Sequence, residues 1–181
     1  MRPTSPSGWR TVVSTDAGYS YDGGKLKDKD GRPVAFTLTD SAGWSDYLTA
    51  LQLISDAVGR LGITATIATP NQDSWSHSIA VGDFQAALHW TSSGNTPWQM
   101  YSNMFDDVYQ QPSGEVASWN SGRYQNPASS QAFTDYTKAT DDASRRAALH
   151  QLQQIYVDDV PAIGIDNRPS LGLYTTKNRI G

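Results

Sequence analysis

The segment from Val34 to Ala68 places the tightest constraint on how this chain folds. Val34 to Thr39 alternates in polarity and is rich in residues that favour extended backbone, the pattern of a strand. From Ser45 to Leu61 the apolar residues Tyr47, Leu48, Leu51, Ile54, Val58 and Leu61 recur at spacings of three and four, which is one face of a helix. Gly62 ends that helix, Ser45 suits its cap, and Asp46 puts a negative charge near the positive end of its dipole. Ile63 to Ala68 then alternates as a second strand, stopped by Pro70. Strand, helix and strand in this order predict a parallel pairing joined by a right-handed crossover.

Other elements assemble around this unit. Lys25 to Pro33 holds a short strand and a turn at Asp30-Gly31, which with Val34 to Thr39 reads as a hairpin, and the Gly23-Gly24 pair opens a hairpin and not a phosphate-binding helix. Asp28 to Gly31 is not a calcium loop, because Leu26 and Thr37 stand where oxygen ligands are needed. Asp73 to Val81 predicts a short helix with Trp75 and Ile79 on its packing side, Phe84 to Trp90 a third strand, and Trp98 to Phe105 another short helix. Asp106 to Ser130 has no period and is rich in Gln, Ser, Gly, Asn and Pro, the composition of a long surface loop, and such loops are commonly functional. Two helices follow at Ser130–Ala139 and Asp142–Val157, the second capped by Asp141 or Asp142 with Ala148, Leu152, Ile155 and Tyr156 on one stripe. Pro161 to Ile165 and Leu171 to Tyr174 close the chain as strands. The class is α/β, a small mixed sheet flanked by helices. Residues 1–24, with Trp9, Val12 and Val13 as their apolar cluster, read as a loosely ordered leader before a domain at 25–181.

Charge and residue types narrow the function. The chain has 181 residues, enough to bury a core, and carries a net charge of −4 with its 14 Lys and Arg scattered, which argues against a nucleic-acid partner. No apolar run is long enough to span a bilayer, and Met1 to Gly8 has neither the apolar core of a secretory signal nor a lipid-accepting Cys. With no Cys, disulfides and thiolate metal sites are excluded. His77, His89 and His150 stand at no metal-ligand spacing, and each is expected to be structural. There is no Gly-x-Ser-x-Gly elbow and no P-loop, and the single Glu, Glu115, lies in a loop, so no nucleophile or carboxyl pair suggests an enzyme. No catalytic residue, metal or cofactor is expected.

Six Trp and nine Tyr are the unusual feature of the composition. A polar and aromatic set follows the third strand: Trp90, Thr91, Ser92, Ser93, Asn95, Thr96, Trp98 and Tyr101, then Trp119, Asn120, Tyr124 and Asn126. In open α/β sheets the ligand crevice lies beyond the carboxyl ends of the strands, and Trp90 stands at such an end. An indole beside hydroxyls and carboxamides suits a neutral polar ligand with apolar faces, such as a sugar ring. A solvated loop beside a buried Trp would give the same residues, and both readings stay open at this point.

The ordered segments carry a resemblance. Ala17-Gly18-Tyr19, the Asp-Gly turn, Leu61-Gly62-Ile63, Gly82-Asp83-Phe84 leading to His89-Trp90, Pro97, Tyr124-Gln125-Asn126-Pro127 and Asp158 to Ile163 resemble the ABC-transporter solute-binding proteins of family five, the dipeptide and oligopeptide-binding class. The resemblance covers about Ala17 to Tyr174 and implies the type II periplasmic-binding fold, in which two lobes close over a solute and present it to permease subunits. It implies an extracytoplasmic location and no membrane span of the chain's own. Family members are several times longer, so the chain at 25–181 resembles an isolated second lobe, whose terminal strands near Ile163 and Leu173 would lack partners and favour association.

In peptide-binding members an Asp three residues beyond the Trp pairs with the peptide's amino group. Here Ser93 occupies that place while the spacing from Trp90 to Pro97 is kept. A buried ammonium without a counter-charge is costly, so the oligosaccharide-binding branch is the better likeness. His89-Trp90-Thr91, Thr96-Pro97-Trp98 and Gly43-Trp44-Ser45-Asp46 carry it. The resemblance then implies a cello-oligosaccharide or similar sugar stacked on Trp90 or Trp98 and hydrogen-bonded to Thr91, Ser93 and Asn95. Trp44, Trp119 and Asn120 complete the expected set. A peptide or nickel-type receptor of the same family is the nearest alternative, and a stand-alone carbohydrate-binding module, with its whole site in this chain, is the alternative from another class.

Overall fold

The computed structural model describes residues 17–91, 94 and 96–166. The described chain opens with two short strands, β1 (Ser20–Asp22) and β2 (Lys25–Lys27), paired antiparallel. Gly23 and Gly24 join them at φ of 56° and 79°, the left-handed backbone that a tight two-residue hairpin turn requires. The end of the expected leader is therefore the first strand of a hairpin, and β2 finds its partner upstream. The Asp30-Gly31 turn also forms, because the Asp28 carboxylate accepts from the amides of Asp30 and Arg32, both at 2.9 Å. It closes a short antiparallel contact, a bridge between Lys27 and Pro33 with the Val34 amide donating to Leu26 O at 2.8 Å, and the expected pairing of 25–33 with Val34–Thr39 goes no further than Val34. The next strand, β3 (Ala35–Thr39), belongs to another sheet, where neighbours on both sides occupy its backbone groups.

That sheet is parallel and ordered β4-β3-β5, with β4 at Thr64–Ala68 and β5 at Ala86–Ala87. Helix α1 (Ser45–Gly59) joins β3 to β4, and the register runs from Ala35 opposite Thr64 to Thr39 opposite Ala68. This is the parallel unit the periodicity predicts. Its core is Leu38, Leu51 and Leu88, backed by Phe36, Ile54 and Ile67, and each buried leucine contributes about 1.5–3 kcal/mol. Trp44, not Ser45, occupies the cap position of α1, where no side chain bonds the backbone, while Asp46 lies in the first turn as expected.

Helix α2 (Gln72–Val81) is capped by Asn71, whose side chain accepts from the Ser74 amide at 2.9 Å, and it buries Trp75, Ile79 and Val81 before stopping at a left-handed Gly82. The third strand is shorter than the sequence predicts. Only Ala86 and Ala87 pair with β3, the Leu88 amide still donates to Thr39 at 3.1 Å, and His89 and Trp90 leave the sheet.

A helical unit follows: α3 (Pro97–Phe105), a 3-10 turn at Asp107–Tyr109, α4 (Pro127–Lys138) and α5 (Asp142–Asp159). Asn126 caps α4 and Pro127 fills its first turn, so this helix begins before Ser130. Asp141 caps α5 by accepting from the Ser144 amide at 2.8 Å. Phe105, Ala132, Phe133, Leu152 and Ile155 form the core of this unit. The stretch between them is no free loop. Gly114 donates to Val81 at 2.8 Å, Ala117 to Ala80 at 2.9 Å and Asn120 to Asn103 at 2.8 Å, which stitches α2 to α3.

Pro161 to Ile165 is not a strand: Ile163 and Ile165 are exposed, and Gly164 donates to the Tyr156 hydroxyl at 3.0 Å. Leu171 to Tyr174, like Trp9, Val12 and Val13, lies outside the described residues. The α/β class stands, and among the described residues the parallel and antiparallel strands lie in separate sheets and not in one mixed sheet.

Candidate functional site

From the central strand β3 the chain moves to β4 at one edge and then to β5 at the other. Connections that diverge in this way leave a crevice at the carboxyl ends of the central pair. Trp44, which follows β3, and Trp90, which follows β5, meet there with ring centroids 5.4 Å apart. Trp75 of α2 lies 5.2 Å from Trp44 and 5.6 Å from Trp90. His89 stacks on Trp90 at 4.5 Å and on Trp75 at 5.7 Å, and Trp119 meets His89 edge-on at 6.3 Å. Trp75 is 2 % exposed and Trp90 44 %, so the cluster has a buried base and an open lip.

Beside it is a pocket of about 210 Å³. Trp75, Ser76, Ile79 and Ala80 of α2 form one wall, Ala117, Ser118 and Ser121 the other, and His89 and Trp90 join them. Among the described residues no Asp, Glu, Lys or Arg lines it. His89 Nδ1 is 2.5 Å from the Trp90 carbonyl oxygen, which can only accept, so Nδ1 carries the proton and Nε2 of the neutral ring is an acceptor. Burial pushes the His89 imidazole below its ordinary pKa, opposed by that hydrogen bond. Trp75 Nε1 is buried and has no hydrogen-bond partner among the described residues.

At the end of β3 the Asp40 carboxyl is also inside. One oxygen accepts from the Ser41 amide at 2.5 Å, the other has no partner among the described residues, and burial raises its pKa. Among the described residues no cluster of His, Asp or Glu is arranged to hold a metal, and no helix is long and apolar enough to cross a membrane.

The expected site residues divide. Trp44, Trp90 and Trp119 come together, and Thr91 follows Trp90 half-buried. Ser93 and Asn95 lie outside the described residues. Trp98 is placed elsewhere: its ring stacks on Tyr136 at 5.7 Å and meets Phe133 edge-on at 6.4 Å, so it packs on the helical core and Tyr136 occupies one of its faces. Asn120 is 1 % exposed and turned inward. Its amide donates to Asp106 O at 3.2 Å and Tyr124 O at 2.9 Å, which uses both hydrogens, and its oxygen accepts from the Tyr124 amide at 2.9 Å. It ties the chain beneath Trp119 in place of facing a ligand. Two residues that sequence reasoning assigned to structure alone, Trp75 and His89, line the pocket. The adjacency of His89 and Trp90, where the strand's alternation ends, is the signal that was available.

No protein-family model matches the chain, and no curated protein matches it. Solved structures do match. A periplasmic oligopeptide-binding protein of an ABC transporter from Thermotoga maritima, bound to mannohexaose, aligns at a TM-score of 0.77 and 22 % identity, over 87 % of this chain and 30 % of that one. The oligopeptide-binding protein AppA from Bacillus subtilis, in complex with a nonapeptide, aligns at 0.69 and 21 % identity over 84 % of this chain and 29 % of its own. The periplasmic binding protein MelB from Agrobacterium fabrum, in complex with stachyose, aligns at 0.70 and 15 % identity over 89 % and 25 %. The fold is that of a solute-binding protein lobe. The lobe spans less than a third of the length of each of these three proteins.

Proposed function

We propose that residues 25–181 are one ligand-binding lobe of the extracytoplasmic substrate receptor of an ABC importer, and that its ligand is an oligosaccharide such as a cello-oligosaccharide. The observation that carries this reading is the aromatic mouth at the end of the parallel sheet, where Trp90 is 44 % exposed and backed by Trp44 and Trp75. A pyranose ring offers an apolar C–H face to an indole and a rim of hydroxyls to polar neighbours. Thr91 is the described hydroxyl next to Trp90, Ser93 and Asn95 are the further partners this reading assigns, and Trp119 extends the aromatic border. A peptide's ammonium would need a counter-charge, and among the described residues no carboxylate lines the adjoining pocket. Permease subunits are the partners that follow from this role.

The test is titration of the purified chain with cellohexaose, mannohexaose, stachyose and a nonapeptide, read by tryptophan fluorescence and calorimetry. The expected result is binding of a saccharide without turnover, weakened about tenfold or more, or ~1.4 kcal/mol, in Trp90→Ala. Binding of the nonapeptide with no response to any saccharide would replace the sugar reading by the peptide one.

A further inference from the structure

We infer that the pocket between α2 and the Ala117–Ser121 stretch is a subsite for the terminal unit of the ligand: a single uncharged, hexose-sized ring enters it beside Trp90 and presents a hydroxyl oxygen to the indole N–H of Trp75. The inference rests on the oligosaccharide reading and adds that the lobe recognises a chain end, not only the stacked middle of a chain.

Three observations carry it. The first is the donor. Trp75 is 2 % exposed, lines the pocket, and its Nε1 has no acceptor among the described residues. Buried donors are nearly always paired, and the inference gives this one a ligand hydroxyl as its acceptor. The second is size. A pocket of about 210 Å³ is on the scale of one six-membered ring with its substituents.

The third is the chemistry of the walls. Ser76 of α2 lines the pocket together with Ser118 and Ser121, and hydroxyls both donate and accept, as a ring of secondary alcohols requires. His89 Nε2 adds an acceptor, because Nδ1 is committed to the Trp90 carbonyl. The walls are held at a fixed separation: Arg123 Nη2 donates to Ala80 O at 2.8 Å on one side and to Glu115 O at 2.9 Å on the other. A preformed pocket of this kind binds without first having to order itself.

The experiment labels the indole nitrogens of the full chain with ¹⁵N and assigns the Trp75 resonance with Trp75→Phe, which keeps an aromatic ring and removes the N–H. Glucose, linear cellohexaose and β-cyclodextrin, a ring of sugars without ends, are then added in turn. Glucose and cellohexaose are expected to shift the Trp75 indole signal, while β-cyclodextrin shifts Trp90 alone. Trp75→Phe is expected to weaken cellohexaose about fivefold and leave β-cyclodextrin unaffected. Ser121→Ala, a change on the pocket rim that spares the core, is expected to weaken cellohexaose about twofold. A saccharide that shifts Trp90 while Trp75 stays still overturns the terminal subsite and leaves the oligosaccharide reading standing. No shift at either indole with any saccharide removes both.

Discussion

His89 lies nearly flat on Trp90, ring centroids 4.5 Å apart and planes 15° from parallel, while its Nδ1 holds the carbonyl oxygen of that same residue at 2.5 Å. The imidazole is thereby fixed by a face and by an edge. Stacked aromatic pairs contribute about 0.5–1.5 kcal/mol beyond their burial, enough to hold an exposed indole in one orientation. The lip of the candidate site is set by its neighbour and not by solvent.

The stack makes stability depend on pH. Burial lowers the His89 pKa below its ordinary value, and the hydrogen bond to Trp90 only partly opposes this. As pH falls below about 6.5 the unfolded chain takes up a proton first, so the folded state loses stability until its own lowered pKa is reached, and no further below that. Thermal unfolding midpoints measured from pH 7.5 to pH 5 are expected to fall more for the wild type than for His89→Gln, which cannot charge. Parallel curves for the two proteins would show that the ring is not desolvated.

Asn120 makes a separate prediction, about the scaffold under Trp119. Its φ of 49° is one that Asn tolerates better than most residues, and its amide satisfies two carbonyls, Asp106 O and Tyr124 O. Asn120→Ala is expected to cost about 2–4 kcal/mol, from unmade buried hydrogen bonds at ~1–3 kcal/mol together with left-handed strain. Asn120→Gly relieves the strain and keeps the hydrogen-bond loss, so it is expected to be roughly 1 kcal/mol less damaging. Urea unfolding of the three proteins gives the ordering; equal losses would mean that backbone strain contributes nothing.

The parallel unit was legible because its signals are local: the three-and-four spacing of Tyr47, Leu51, Ile54 and Val58 and the alternation of Ile63 to Ala68 need no knowledge of distant chain. The same holds for the caps at Asp141 and Gly82, which act within a turn of their helices. Trp75 and Trp98 were harder. Each sits on a short helix with apolar neighbours, and nothing within either helix says that α2 packs against the end of β5 while α3 packs against Phe133 and Tyr136. Asn120 was read as a ligand residue for the same reason, since only the fold turns its carboxamide inward. The pairing of β2 with β1 was missed because Asp30-Gly31 is the stronger turn signal by composition, whereas β3's backbone is claimed by β4 and β5.

Gly62 tests how the hairpin is joined to the helix. Its φ is 78°, and a Cβ there would lie 2.7 Å from Gly24 O and 2.8 Å from Leu26 N, both backbone atoms that cannot swing aside. Leu26 also donates to Gly62 O at 3.0 Å, so the contact cannot open without losing that bond. Gly62→Ala is expected to cost about 2–5 kcal/mol, the sum of left-handed strain and overpacking. Gly23→Ala, at φ 56° with nothing within 4 Å of its Cβ, is expected to cost only about 1–2 kcal/mol. Comparable losses in urea unfolding would mean that strain alone decides, and that the close approach at Gly62 is soft.

Asp40 ends the central strand with its carboxyl inside the protein, 0 % exposed and with one oxygen unpaired among the described residues. Burial raises its pKa; the Ser41 amide acts against this, and the charge of Asp46 adds to it. Because the folded pKa is raised, the unfolded chain ionises first as pH climbs past about 3.9, and stability falls until the folded carboxyl ionises too. Above that point the whole penalty persists. Asp40→Asn removes the charge and keeps the shape, at the cost of a buried amide that lacks an acceptor, so its absolute stability mixes two effects. The difference between variant and wild type isolates one of them. Urea midpoints at pH 3 and pH 7 are expected to show Asn gaining on Asp as the pH rises, and a gap that stays constant would mean that the Asp40 carboxylate is paired or hydrated in solution.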